Sequence, residues 1–252
     1  ESLTNFYKKW YNPDMQAIVV IGDIDVNQIE NKIKTIFSDI PAPEVPTQKI
    51  EYKIPANEEP VFGIITDKEA TNSQIEMLWR GEPLPKQLNN TDVAYMMDIV
   101  KTYIRVIMNE RFNDITSKPD APFISAGFGI GKLCNTCEAV SGNISFKDGE
   151  ALKAFQAYLT EVEKLRRYGF TEGEVLRAKE NILKRYDRAV EAAATRKNSE
   201  FVYPILNNFY FNEAILTPET DQQIAQAICS QLNAQVLNQM LPQLLTEQNV
   251  LV

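Results

Sequence analysis

The first part of the chain alternates apolar runs with turn residues. Leu3 to Tyr11 is predicted to be a short helix with its apolar residues on one side, ended by an Asn-Pro pair. Ala17 to Ile21 is an unbroken apolar run rich in β-branched residues, which is typical of a central strand covered on both faces. Asp25 is placed to cap the next helix, and three prolines after that helix predict an extended connector.

The next patterns predict two strands and a long helix. Val61 to Thr66 is predicted to be a strand, and Gln74 to Arg80 alternates apolar with polar residues, so this strand has one polar face. Together they predict an antiparallel pair. Apolar residues step by four and three from Val93 to Phe112 and predict a helix whose stripe lies on the sheet.

Residues 124–131 alternate strictly. One face carries Ile124, Ala126, Phe128 and Ile130, and the other carries Ser125, Gly127, Gly129 and Gly131. A face without side chains allows a helix backbone, or an extended peptide, to approach closely.

The second half of the chain is mainly helical. A helix is predicted from Gly149 to Arg167 with Gly169 as its left-handed terminator, and Thr171 with Glu174 forms a capping box for a longer helix. The charged face of that longer helix indicates solvent and not a binding site. Further helices run from Pro218 through Cys229 and over 234–245, and 250–252 close as a strand.

Antiparallel strands followed by long helices favour an α+β fold, with the helices packed mainly on one face of a mixed layer. We expect one domain over 1–252, because no change in composition marks a boundary. The chain begins without Met and stops on an apolar triplet, so we also expect it to be excised from a longer polypeptide.

Net charge and hydropathy limit the classes of partner that the chain can bind. The formal charge of -8 argues against nucleic acid as a partner, because no segment provides the clustered excess of Lys and Arg that phosphate contacts need. No run approaches the roughly 18 apolar residues of a membrane span.

The absence of histidine is the strongest constraint on chemistry. It excludes Ser-His-Asp and Cys-His catalysis and any zinc site that uses imidazole. Asp23 and Asp25 are the residues most similar to a catalytic pair of carboxylates. Helix capping and turn formation explain their presence better than general acid-base catalysis does.

Three cysteines are too few for a disulfide scaffold. Cys134 and Cys137 have C-x-x-C spacing, which suits a redox pair or half a zinc site. If both lie on one strand, residues three apart point to opposite faces and cannot share a metal unless the strand is bulged. We therefore predict a structural role, with the functional one left open.

An aromatic cluster surrounds Pro204. It could line a peptide-binding wall, but packing in the core is the favoured interpretation, because nothing polar is arranged among its members: Phe201, Tyr203, Phe209, Tyr210 and Phe211.

Several motifs resemble the insulinase/pitrilysin-type (inverzincin) zinc peptidases. The strongest is the helix and strand that carry Phe6, Tyr7, Trp10, Tyr11, Pro13, Met15 and Gly22-Asp23-Ile24-Asp25, in the order and spacing of that family. Weaker matches follow in family order: Asn109 to Phe112, Cys137 to Ala139, and Tyr168 to Glu174.

The resemblance implies the second, non-catalytic domain of the N-terminal half, with the mitochondrial processing peptidase-like fold. Family members hold zinc through an H-x-x-E-H helix, which this chain lacks, so the resemblance carries over no catalytic, cofactor-binding or metal-ligating residue. It implies that zinc lies in a neighbouring catalytic domain of the parent protein. The expected partners are that domain, the second half of the polypeptide and an unfolded peptide substrate held in a chamber.

Two other functions stay open from the sequence. The chain could be a catalytically silent scaffold or partner-binding subunit of the same family, or an independent small-molecule enzyme, for which we find no convergent polar groups. The compartment is not determined by the sequence, and the bacterial periplasm is our expectation for the parent protein.

Overall fold

The computed structural model describes residues 1–246 and 248–252, which form two compact units. Unit 1 comprises Glu1–Glu51 and Ala193–Ile215, and unit 2 comprises Tyr52–Ala192 and Leu216–Val252. In chain order the elements are α1 (Ser2–Trp10), α2 (Val26–Phe37), β1 (Ser73–Gly81), α3 (Asp92–Thr116), β2 (Ser125–Cys134), β3 (Cys137–Phe146), α4 (Ala151–Tyr168), α5 (Glu172–Glu191), α6 (Val202–Phe211), α7 (Pro218–Gln231), α8 (Ala234–Leu244) and β4 (Val250–Leu251).

Unit 1 contains α1, α2 and α6 but no strand among its residues, all of which the structure describes. The predicted cap of α2 is present, because the Asp25 carboxylate accepts a hydrogen bond from the Gln28 N–H at 3.0 Å. The prediction that Ala17 to Ile21 forms a central strand is wrong. Ile18 is 50% exposed, and no described residue pairs with the run.

Unit 2 is built on a four-stranded sheet with the order β2-β3-β1-β4, in which every neighbouring pair is antiparallel. Alternation along β1 is as predicted: Met77 and Trp79 are buried, and Gln74 and Glu76 are exposed. The sheet and its long helices confirm the α+β fold class.

One predicted strand pairing is wrong. Val61 to Thr66 does not pair with β1, whose neighbours are β3 and β4. Val61 instead forms an isolated parallel bridge to Leu251, and the Gly63 N–H donates to the Val252 carbonyl at 2.9 Å. Local alternation predicts that a segment is extended, but the choice of partner depends on residues far along the chain.

The core of unit 2 lies between one face of the sheet and its helices. Helix α3 contacts β2 and helix α4 contacts β3. The two helices meet where the Phe112 and Tyr158 rings stack with centroids 4.5 Å apart, and both residues are fully buried. The Tyr158 hydroxyl donates to the Gly127 carbonyl at 2.9 Å, which ties α4 to the sheet.

The close approach of a helix to the sheet occurs at a glycine other than those predicted. A Cβ at Gly142 would lie 2.5 Å from the Tyr158 hydroxyl, whereas a Cβ at Gly131 would meet nothing within 4 Å. At Gly129 the neighbour is the Ser141 side chain of the adjacent strand. Helix α4 therefore packs on the face that carries Phe128 and not on the glycine face, whose expected capacity for a close approach α4 does not use.

Candidate functional site

The motif residues at the end of α4 form a network of hydrogen bonds around Glu174. Arg111 of α3 donates from Nε to the Glu174 carboxylate at 2.6 Å and from one terminal nitrogen at 3.0 Å, and it also donates to the Gly169 carbonyl at 2.9 Å. The Thr171 N–H and hydroxyl donate to the same carboxylate at 2.8 and 2.9 Å. The predicted capping box is confirmed.

This network controls the ionisation of Glu174. Partial burial raises the pKa of the carboxyl, but the hydrogen bonds from Arg111 and Thr171 outweigh that effect and lower the pKa to about 2. A carboxylate held ionised by so many donors is a poor general acid or base near neutral pH. Glu174 therefore fastens the loop between α4 and α5 to α3.

Gly169 makes this loop possible. Its φ of 66° and ψ of -148° lie in a region that side chains with a Cβ avoid. A Cβ there would also lie 2.3 Å from Asn238 of α8, whose amide bonds both the N–H and the carbonyl of Phe170 at 2.7 and 3.1 Å. The expected left-handed terminator has the positive φ, but its ψ is that of an extended residue.

Two other motif positions also form structural contacts. Asn109 of α3 bonds the outer edge of β2: its Nδ2 donates to the Phe128 carbonyl at 2.8 Å and its Oδ1 accepts from the Phe128 N–H at 3.0 Å. Glu138 of β3 pairs with Lys101 of α3 at 2.6 Å, and both side chains are mostly buried. Sequence spacing pointed to these residues, but their partners could not be identified from it.

Cys134 and Cys137 are placed differently from the prediction. They do not share a strand: Cys134 ends β2 and Cys137 begins β3, and the two are opposite each other across a two-residue turn. A register shift between Lys132 and Cys134 places a bulge in β2 just before Cys134. Both are thiols, with Cys134 exposed and Cys137 buried.

The paired carboxylates and the aromatic cluster do not form a site in unit 1. Asp25 caps α2, and Asp23 is exposed beside it. The prediction that the aromatic cluster packs in a core is wrong, because Phe201, Tyr203 and Tyr210 are 38%, 75% and 52% exposed. Helix α6 carries aromatic side chains on several sides, so no single face can bury all of them.

A cavity of about 640 Å³ lies in unit 2 beside the end of α4 and along α8. Its described lining includes Arg166, Tyr168, Asn238 and Pro242, with neither a carboxylate nor a thiol. Within 1–246 and 248–252, no group of three or more His, Cys, Asp or Glu side chains is placed to hold a metal ion. Over the same residues, no helix is long and apolar enough to cross a membrane.

These contacts and this fold define a structural α+β domain in which the motif residues connect elements to each other. The family model described as "Peptidase M16 inactive domain" matches residues 1–182. The chain therefore belongs to this family of inactive domains of zinc peptidases, which confirms the resemblance to insulinase-like proteases.

The chain is similar to curated proteins, one of which is named as a zinc protease. It is 23% identical over 248 residues to the "Probable zinc protease PqqL" of Escherichia coli strain K12, a match that covers 98% of this chain and 26% of that protein. It is 22% identical over 250 residues to "Protein YhjJ" of Salmonella typhimurium, covering 98% of this chain and 49% of that protein. The chain thus spans half or less of the length of these relatives.

Solved structures share the fold. The first half of the periplasmic protease PqqL from Escherichia coli matches with a TM-score of 0.86 and 22% identity, over 99% of this chain and 53% of that one. An insulinase family protease from Yersinia pestis matches with a TM-score of 0.82 and 18% identity, over 99% of this chain and 54% of that one. In both, the matching region is accompanied by a further stretch of polypeptide.

Proposed function

We propose that the chain is a non-catalytic structural domain of a zinc metalloendopeptidase, and that it forms part of the wall of the chamber that holds an unfolded peptide. The zinc and its ligands belong, in this proposal, to a neighbouring catalytic domain of the same polypeptide. The whole of 1–252 acts as one part of that enzyme, and no residue in it is catalytic. The periplasmic relative supports a periplasmic location for the parent protein.

The observation that carries this proposal is the exposed apolar surface of unit 1. None of its residues, all of which the structure describes, is buried. Its exposed large apolar side chains come from α1, the following run and α2, and include Leu3, Phe6, Tyr7, Ile18, Val20, Val26, Ile36 and Phe37. Leu3, Phe6 and Tyr7 have the spacing of one face of α1, and an exposed apolar face of this kind is typical of an interface. A neighbouring domain is the partner that fits it.

The run Ala17 to Ile21 indicates how that domain binds. In unit 2, α8 is the element before β4 in the chain, and β4 pairs with β1. In unit 1, α1 leads through the turn at Pro13–Met15 into an apolar run of the same kind, with no described strand beside it. Extended β-branched residues with open backbone groups suit addition to the edge of another sheet. The neighbour is therefore expected to offer a strand there.

The test compares one substitution in two settings. Val20→Lys should change the unfolding of this chain little, because Val20 is already 45% exposed. In the parent polypeptide the same substitution should lower the chelator-sensitive cleavage of an unstructured peptide at least tenfold, since a lysine would be buried between domains. Leu176→Lys, at a position 59% exposed on the charged helix α5, is the matched control and should be silent in both settings.

Two outcomes contradict the proposal. If purified 1–252 binds one zinc and cleaves peptide by itself, the domain is not inactive. If Val20→Lys leaves the parent as active as Leu176→Lys does, unit 1 does not contact a catalytic neighbour. A parent that assembles through unit 1 but hydrolyses nothing would instead support the silent scaffold.

A further inference from the structure

The turn between β2 and β3 places two thiols side by side. Asn135 and Thr136 form the turn, and Cys134 and Cys137 are Cα partners directly before and after it. Lys132 is paired with Glu138, so Leu133 is the extra residue of the bulge. Side chains of opposed residues in an antiparallel pair point to the same face of the sheet. The bulge therefore puts both sulfur atoms on one face.

The spacing of the backbone suits a disulfide. Opposed residues in an antiparallel pair have Cα atoms about 4.5–5.5 Å apart, which lies inside the range of about 4.4–6.8 Å seen across disulfides. Bond formation therefore requires side-chain rotation but no separation of the strands. The third cysteine, Cys229, cannot compete, because it is fully buried in α7 of the core.

The two thiols have different environments. Cys134 is exposed, whereas Cys137 is only 3% exposed. Burial raises the pKa of Cys137, and the neighbouring Cys134 raises it further, while Arg80 acts in the opposite direction. An accessible thiol beside a protected one is the arrangement in which the first meets an external oxidant and the second resolves the product.

We propose that Cys134 and Cys137 are a dithiol site that is oxidised to an intrachain disulfide by exchange with an external disulfide such as oxidised glutathione. The Cys134 thiolate attacks one sulfur of that disulfide, forming a mixed disulfide and releasing one glutathione thiolate. The Cys137 thiol then gives up its proton to water and attacks the Cys134 sulfur, releasing the second glutathione. Two thiols of the chain are oxidised and one glutathione disulfide is reduced to two thiols.

The disulfide would stabilise residues 52–57, a segment that the turn between β2 and β3 already contacts. The Thr136 hydroxyl donates to the Tyr52 carbonyl at 2.8 Å. Further along the same segment, Arg80 of β1 donates to the Pro55 carbonyl at 3.2 Å and also bonds the Asn57 side chain. Closing the turn covalently fixes the position of Thr136 and thereby stabilises the contacts of residues 52–57. This consequence is independent of the proposed function.

The test is peptide mapping of the whole chain after equilibration in glutathione buffers. Cys134 and Cys137 fall on one tryptic peptide, 133–147, and Cys229 falls on another. In a buffer with equal amounts of reduced and oxidised glutathione, more than half of peptide 133–147 should resist alkylation and be lighter by two hydrogen atoms. After reduction, both of its thiols should be alkylated.

The controls separate the pair from its alternatives. Cys229→Ser should leave the oxidation of peptide 133–147 unchanged, whereas Cys134→Ser should abolish it. The proposal is overturned if both thiols of wild type remain alkylatable in the oxidising buffer, if Cys134 ends as a stable glutathione adduct, or if the only disulfide links two chains. Amide exchange of residues 52–57 should also slow on oxidation in Cys229→Ser and not in Cys134→Ser.

Discussion

Glu174 shows how one side chain can connect three elements. Its carboxylate completes the cap of α5, pairs with Arg111 of α3, and through Arg111 reaches the Gly169 carbonyl at the end of α4. The Arg111 and Glu174 side chains are only 18% and 15% exposed, so water screens the pair little. Removing one member of such a pair leaves the other charge poorly solvated, which is costly.

The stability of this network should depend on pH. The folded pKa of Glu174 is about 2, below its ordinary value of 4.5. The network therefore contributes its full stabilisation above the ordinary pKa and loses it as pH falls toward the folded pKa. Glu174→Gln should lower the free energy of unfolding by about 3 kcal/mol near neutral pH, and the difference from wild type should shrink as pH falls from 4.5 to about 2.

Urea unfolding at a series of pH values measures this difference. Glu172→Gln is the control, because Glu172 is an exposed residue in the same first turn of α5 and also carries a negative charge near the helix N-terminus. Glu172→Gln should lower the free energy of unfolding by well under about 1 kcal/mol. A Glu174→Gln deficit that stays constant across the acid range would show that Glu174 acts only through packing and not through its charge.

At the level of elements, the outer edge of β2 is covered by a side chain. β2 is the first strand in the sheet order, so the backbone groups on its outer side have no strand beside them among the described residues. Asn109 of α3 takes that place at Phe128 with both halves of its amide. A covered edge cannot pair with another chain at that point, which limits aggregation through the sheet.

Removing the Asn109 amide should destabilise β2 locally without disrupting the fold. Asn109→Ala should cost about 1–3 kcal/mol of unfolding free energy, because two hydrogen bonds to a buried residue are lost. The amide of Phe128 should exchange with solvent faster, whereas the amides of β3 should change little. Hydrogen exchange followed by mass spectrometry checks both, with Asn113→Ala on the exposed side of α3 as the control. Equal effects of the two substitutions would contradict the role of Asn109.

The sequence predicted elements better than it predicted their partners. Alternation identified β1 and the core of β2, and the Thr171 and Glu174 pair identified the start of α5, because these signals are contained within a few residues. The pairing of β1 with β3 joins residues such as Met77 and Gly142, which lie far apart in the chain. Nothing in a local pattern specifies that choice.

The cysteine pair shows the same limit. The C-x-x-C spacing is visible in the sequence, but on one continuous strand the two side chains would point to opposite faces. The turn at Asn135 and Thr136 and the bulge at Leu133 reverse that conclusion. Asn-Thr is a weak turn signal compared with Asn-Gly, so the hairpin could not be placed with certainty from its residues.

At the scale of the whole molecule, burial is distributed very unevenly. Every buried residue lies in unit 2, from Met77 to Leu245, and none lies in unit 1. A helix of nine residues such as α1 is marginal in water unless its apolar face is packed. The apolar run Ala17 to Ile21 was predicted to be a central strand because its composition is that of one, and in this structure no described strand accompanies it.

The uneven burial predicts that unit 1 is locally less stable than unit 2, and that contact with a neighbouring domain should reduce this difference. In the chain by itself, the amides of 1–51 and 193–215 should exchange with solvent at least a hundredfold faster than those of α3 and β3, because opening them exposes little apolar surface. In the parent polypeptide, exchange in 17–21 should slow by a similar factor if a neighbouring sheet pairs with that run. Exchange in β3 should be the same in both, which makes it the internal control. If 17–21 exchanges as slowly in the isolated chain as β3 does, then unit 1 is stable without a cover, and its apolar surface is no evidence for a catalytic neighbour.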